Sequence, residues 1–206
     1  GGGSNTASGA CSVVAGGGGF SPFVQLGNTA SGDRATIGGG DTNVVASSYG
    51  TIGGGQSISV TGDYATVGGG QHINVAATGS TVAGGSLITV TGDYAVVGGG
   101  HENQVDGNLA TLGGGIRNAA LAEASTIGGG RSIRVTGEAS TVGGGDTNVV
   151  TAPFGTIGGG RSITVAGEYG TVGGGTYNQS TGPAATIGGG GYNTAIGEAA
   201  TIGGGA

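Results

Sequence analysis

The chain has 206 residues, of which 57 are glycine and only 8% are charged, with five arginines, no lysine and a formal charge of −6. Collagen is excluded because glycine does not fall at every third position, and a flexible linker because Val, Ile and Leu recur at fixed places. The acidic balance leaves no basic patch for nucleic acid or anionic lipid, and no run approaches the roughly 18 consecutive apolar residues of a membrane span.

The first register unit is "SNTASGACSVVAGG", whose Cys11 is the only cysteine, so no internal disulfide framework is expected and the thiol is read as inert or as an intermolecular bridge. "GGFSPFVQLG", at about 18–27, breaks the register and reads as one loop bulging from a coil. From "NTASGDRATIGGG" onward the first glycine of a triplet falls at 38, 53, 68, 98, 113, 128, 143, 158, 173, 188 and 203, with Ala83 in the one gap, so every step is fifteen residues. A period this short and strict marks a solenoid in which each repeat is one coil. The expected fold is an all-β parallel β-roll or β-solenoid with two short strands per coil. Residues 1–206 are expected to form a single solenoid of about fourteen coils.

The unit is T-[IV]-G-G-G-x-x-[NI]-x-[VA]-x-G-[DE]-[YA]-[AS]. One strand is expected over runs such as 65–69 and the other over runs such as 57–61, with turns at the "GGQ" and "GDY" segments, where Gly, Asp and Asn are favoured. Alternation along a strand puts the residue after each Thr inside: Ile52, Val67, Val97, Ile127, Val142, Ile157 and Ile187. The matching inward column of the other strand contains Val60, Val75, Val135 and Val165. Beside it runs a column of Asn or Ile, such as Asn43, Ile58 and Asn148, whose amides are expected to bond along the stack. The second glycine of each triplet is expected inside, making room for that Asn or Ile, and the outer two beside Thr leave a flat face almost free of side chains.

One Ile and one Val per coil is a thin core for fifteen ordered residues. Packing of that flat face against other chains is therefore expected. The expected inter-chain face comprises Thr36, Thr51, Thr66, Thr81, Thr111, Thr126, Thr141, Thr156, Thr171, Thr186 and Thr201, with glycines such as Gly143 and Gly145. Coils stack about 4.8 Å apart, and a flat rank of threonines at that spacing also raises ice binding as an alternative.

The pattern in "TIGGGGYNTAIGEAA" (186–200) and in "SNTASGACSVVAGG" resembles the head repeats of trimeric autotransporter adhesins, and is similar to repeats of secreted and phage-tail-type fibres. The resemblance covers the chain except the 18–27 insertion and implies a left-handed parallel β-roll, a homotrimer or a filament, an extracellular or cell-surface location and a possible host or surface ligand. Many family heads use a fourteen-residue coil where this chain uses fifteen, and no coiled-coil stalk or membrane anchor accompanies the repeats in this stretch. The chain starts and stops inside a repeat without a capping coil, as expected of a segment of a longer protein or of subunits stacking end to end.

Catalysis has little to stand on, and no enzyme, cofactor or metal is expected. His72 and His101 fall at turn positions of different coils. Asp63, Asp93, Glu123, Glu138, Glu168 and Glu198 share one repeat position, which turn preference explains, since the G-G-x-G-x-D nonapeptides of calcium rolls are absent. The glycine triplets lack the lysine and following helix of a phosphate loop. Tyr49, Tyr64, Tyr94, Phe154 and Tyr169 share a corner and are read as covering a turn edge, with sugar stacking as the functional alternative.

Overall fold

The computed structural model describes residues 2–18 and 27–205, so the loop expected at about 18–27 lies outside the described residues except for its two terminal glycines. The described residues form an all-β parallel solenoid with fifteen-residue coils and two short strands in each. The chain falls into two compact units, Gly1–Glu102 and Asn103–Ala206, each a stack of such coils.

Backbone pairing runs between coils. Val44 N–H donates to the Ile58 carbonyl at 2.7 Å and Thr51 N–H to the Ala65 carbonyl at 2.9 Å. Like therefore sits on like: Thr51 pairs with Thr66, Ile52 with Val67, and Val45 with Val60. The strands are shorter than the sequence leads one to expect, Thr66–Val67 and Ser59–Val60 in place of 65–69 and 57–61. The reason lies in two corners per coil, where residues such as Tyr49 (φ 59°) and Ser57 (φ 55°) adopt the left-handed conformation. There the N–H reverses direction and bonds the preceding coil: Tyr49 to the Asp33 carbonyl at 2.9 Å, Ser57 to the Asp41 carbonyl at 3.0 Å. Non-glycine residues enter this region at a cost of roughly 1–2 kcal/mol each, so the stacking bonds hold the corners against local preference.

The core is built from columns. Ile52, Val60, Val67, Val75, Val97, Ile127, Val135, Val142, Ile157, Val165 and Ile187 are all buried. A column of small residues, Ala35, Ala65, Ser80, Ala110 and Ser140 among them, is buried beside them and belongs to the core as much as the branched residues do. Ser140 is satisfied there, its Oγ donating to the Ala152 carbonyl at 3.0 Å and accepting the Gly155 N–H at 2.9 Å, whereas the buried Oγ of Ser12, in the same column, has no hydrogen-bond partner.

The Asn column bonds amide to amide along the stack in places, Asn193 Nδ2 donating to Asn178 Oδ1 at 3.2 Å and Asn28 Nδ2 to Asn5 Oδ1 at 3.3 Å, but most of its bonds go to the backbone. Asn43 Oδ1 accepts the Ile58 backbone N–H at 3.0 Å, and its Nδ2 donates to the carbonyls of Gly39 and Gly55 at 3.0 and 2.8 Å. Each such amide stitches its own coil's backbone to the next. Where Ile58, Ile73 and Ile88 follow one another, no amide intervenes and the strands lengthen to Gln71–Val75 and Ser86–Val90.

Candidate interaction face

The threonine rank is in parallel register within each unit, Thr36, Thr51, Thr66 and Thr81 in the first and Thr111 through Thr201 in the second. Thr66, Thr81, Thr111, Thr141, Thr156 and Thr201 are exposed, and Thr36, Thr51, Thr126, Thr171 and Thr186 half-buried. Val96 replaces threonine in one coil and is also exposed.

The three glycines that follow have three different reasons to be glycine. A Cβ on the first would strike the next coil's backbone, as at Gly143, where it would lie 2.4 Å from the Gly158 carbonyl oxygen. The third sits at positive φ, +101° at Gly145, where a Cβ would lie 2.1 Å from the Gly160 oxygen and 2.7 Å from Asn148 Nδ2. The second faces outward: a Cβ on Gly54, Gly129, Gly159 or Gly189 would meet nothing within 4 Å. This corrects the sequence expectation. The third glycine, and not the second, makes room for the Asn or Ile: the strand Thr141–Val142 ends before the triplet, so alternation does not carry through it. Gly143 and Gly145 are consequently glycine for the coil's own sake, and the free outward positions belong to the middle glycines.

The remaining candidates fall into place around the corners. Asp63 Oδ1 accepts the Ser48 N–H at 2.8 Å, and Asp93 Oδ1 accepts the Thr78 N–H at 2.8 Å, so these carboxylates cap the preceding coil's turn. Side-chain acceptance of a nearby N–H is what aspartate does best in turns. Among the described residues no three His, Cys, Asp or Glu side chains converge on one point. His72 is exposed, and His101 Nε2 lies 3.4 Å from Glu102 Oε1 in its own coil. Glu123, Glu138, Glu168 and Glu198 are exposed at the same repeat position. Cys11 is exposed at a left-handed corner.

Tyr49 and Tyr64 stack with ring centroids 4.8 Å apart, as do Phe154 and Tyr169 at 4.9 Å, while Tyr94 stands apart because Gly79 separates it from Tyr64. A third aromatic pair, Tyr177 and Tyr192, stacks at 4.9 Å on the other corner. Its signal in the sequence is the fifteen-residue interval between "TYN" and "GYN". Arg131 grips Asp146 in the adjacent coil through two bonds, Nε to Oδ1 at 3.0 Å and Nη2 to Oδ2 at 2.7 Å.

No family model matches this chain, and no curated protein matches it. What the coordinates share with the fibre-head resemblance is the architecture, a parallel β-solenoid.

Proposed function

We propose that this chain is a non-enzymatic structural segment of an extracellular fibre or adhesin-like head, which associates with copies of itself through the threonine and middle-glycine face. The observation that carries this reading is the middle glycine. Gly54, Gly129, Gly159 and Gly189 have open space where a Cβ would go and are not among the positive-φ residues. Gly99 and Gly114, at φ 146° and 155°, are the middle glycines whose backbone does need the residue. At the other four positions the coil has no need of glycine, although glycine is the residue that costs most to order. A neighbouring backbone that approaches closely supplies that need. Charge supports the same face: no Asp, Glu or Arg occurs in any Thr-x-Gly-Gly-Gly segment, so an acidic chain meets a copy there without like-charge repulsion.

Sedimentation of the chain, compared with a Gly129→Leu/Gly159→Leu variant, tests the proposal. The expected result is an oligomer, trimeric for a head-like assembly or long polymers for a filament, that falls to monomer in the variant with its circular dichroism unchanged. A wild-type chain that stays monomeric at high concentration overturns the proposal, as does a variant that assembles normally.

The exposed, in-register threonines favour a second reading, ice binding. A soluble monomer that shapes ice crystals, and loses that effect on Thr141→Val/Thr156→Val replacement, decides for it.

A further inference from the structure

Four of the six tyrosines form two stacked pairs, each pair bridging adjacent coils. Tyr49 and Tyr64 lie with centroids 4.8 Å apart and planes 10° from parallel, and Tyr177 and Tyr192 at 4.9 Å and 16°. All four rings are exposed, from 40% at Tyr49 to 75% at Tyr192, so small reagents reach them. All four also sit at left-handed corners, with φ between 55° and 60°. Glycine would occupy such a corner without steric cost, and Gly79 does so in the Tyr49 rank at φ 64°. A chain so rich in glycine nonetheless places phenols at these corners, and the solenoid register then holds them face to face. Arg34 fixes the first pair further, its Nη1 donating to Tyr49 Oη at 2.6 Å, and the Arg161 guanidinium lies 5.5 Å from the Tyr177 ring centroid.

The composition removes the usual competitors for one-electron oxidation. The chain has no Trp, no Met and a single Cys. Tyrosines are its principal sinks for an oxidising equivalent, and two pairs of them are pre-aligned.

We propose that Tyr49–Tyr64 and Tyr177–Tyr192 are sites of oxidative tyrosine coupling, which staples neighbouring coils covalently. The co-reactant is peroxide, used by a haem peroxidase. Each phenol of a pair loses one electron and one proton to give a phenoxyl radical, and the two radicals join through ring carbons ortho to their oxygens. One carbon–carbon bond forms, and the hydrogens on those two carbons move to the phenolic oxygens. Peroxide takes up the two electrons and two protons and leaves as two waters, so each link lowers the chain's mass by two hydrogens. Exposure leaves both rings free to turn out of the stack as the bond forms.

The molecule contains its own controls. Tyr94 is separated from Tyr64 by Gly79, and the stacked neighbour of Tyr169 is Phe154, which has no phenol to oxidise. This inference is independent of self-association, since both partners of each pair belong to one chain.

The test treats a dilute Cys11→Ser chain with horseradish-type peroxidase and hydrogen peroxide, isolates monomer by size exclusion, and maps cross-linked peptides by mass spectrometry. Expected are intramolecular Tyr49–Tyr64 and Tyr177–Tyr192 links, formed at a rate independent of protein concentration. Tyr49→Phe abolishes the first link and spares the second. Phe154→Tyr creates a third link, to Tyr169. Monomer without dityrosine, dityrosine confined to covalent dimers, or links to Tyr94 and Tyr169 as frequent as those of the paired rings would each overturn the proposal.

Discussion

Asn148 reaches across to Ile163 in the next coil: its Oδ1 accepts the Ile163 backbone N–H at 3.0 Å, while its Nδ2 donates to the Gly144 and Gly160 carbonyls at 2.9 and 3.0 Å. Three backbone groups thus depend on one buried side chain. Asn148→Ala removes all three bonds, of these groups only the Gly160 carbonyl keeping another, from the Asp146 N–H at 2.9 Å, and opens a void, at a cost of about 2–4 kcal/mol. Asn148→Ile costs less, because Ile133 and Ile163 already occupy this column and fill the same space. Chemical denaturation of the two variants checks the order, and an alanine variant as stable as the isoleucine one refutes this account of the column.

The glycine triplet separates by position. Gly143→Ala and Gly145→Ala each drive a Cβ into the next coil's backbone, and the second adds a left-handed conformation that alanine adopts reluctantly. Each is expected to destabilise by about 3 kcal/mol or more. Gly129→Ala meets nothing and stays within about 0.5 kcal/mol of the parent chain, as surface changes do. Unfolding midpoints of the three variants, measured side by side, would rule out the assignment if Gly129→Ala were the most harmful.

Ala139 occupies a left-handed corner at φ 49° with only a methyl group to show for it. Ala139→Gly removes the corner's strain of roughly 1–2 kcal/mol and adds about 0.4–1 kcal/mol of unfolded-state entropy. A net stabilisation of about 0.5–1 kcal/mol is expected from that difference. A drop in the unfolding midpoint would contradict it.

The hydrogen bond from Arg131, then that from Thr147, holds the Asp146 carboxyl below its ordinary range, and the same contact raises Arg131. A depressed carboxylate contributes stability above its unfolded pKa and loses it as pH falls through the folded value. The wild type is therefore expected to exceed Asp146→Asn slightly in denaturation midpoint at neutral pH, with the gap closing below the carboxylate range. High salt should narrow it too, since both side chains face solvent. A gap that is unchanged at acid pH argues against this pair.

Much of this molecule is legible in one dimension because its order is one-dimensional. A strict fifteen-residue interval forces identical positions of successive coils into register, so the columns through Ile52 and Val60 could be named before any coordinate was known. The inner role of Asn43 followed as well, from its place two residues before Val45. Its bonding followed only in part: Asn178 and Asn193 bond amide to amide, but Asn43 bonds the backbone, because which partner an amide meets depends on how far apart the coils' carbonyls lie.

The corners mark the boundary between the two kinds of knowledge. Period-two alternation is a rule for extended chain, and it was carried through the glycine triplet as though the strand continued. The strand instead stops at the residue before the triplet, as at Val142, and the middle glycine faces outward. Sequence alone determined the period, the stack and the branched core. Tertiary structure decided which glycine is spared a neighbour and which tyrosines meet, because the first depends on where the strand stops and the second on a backbone sign change that neighbouring coils impose through hydrogen bonds and no local preference announces.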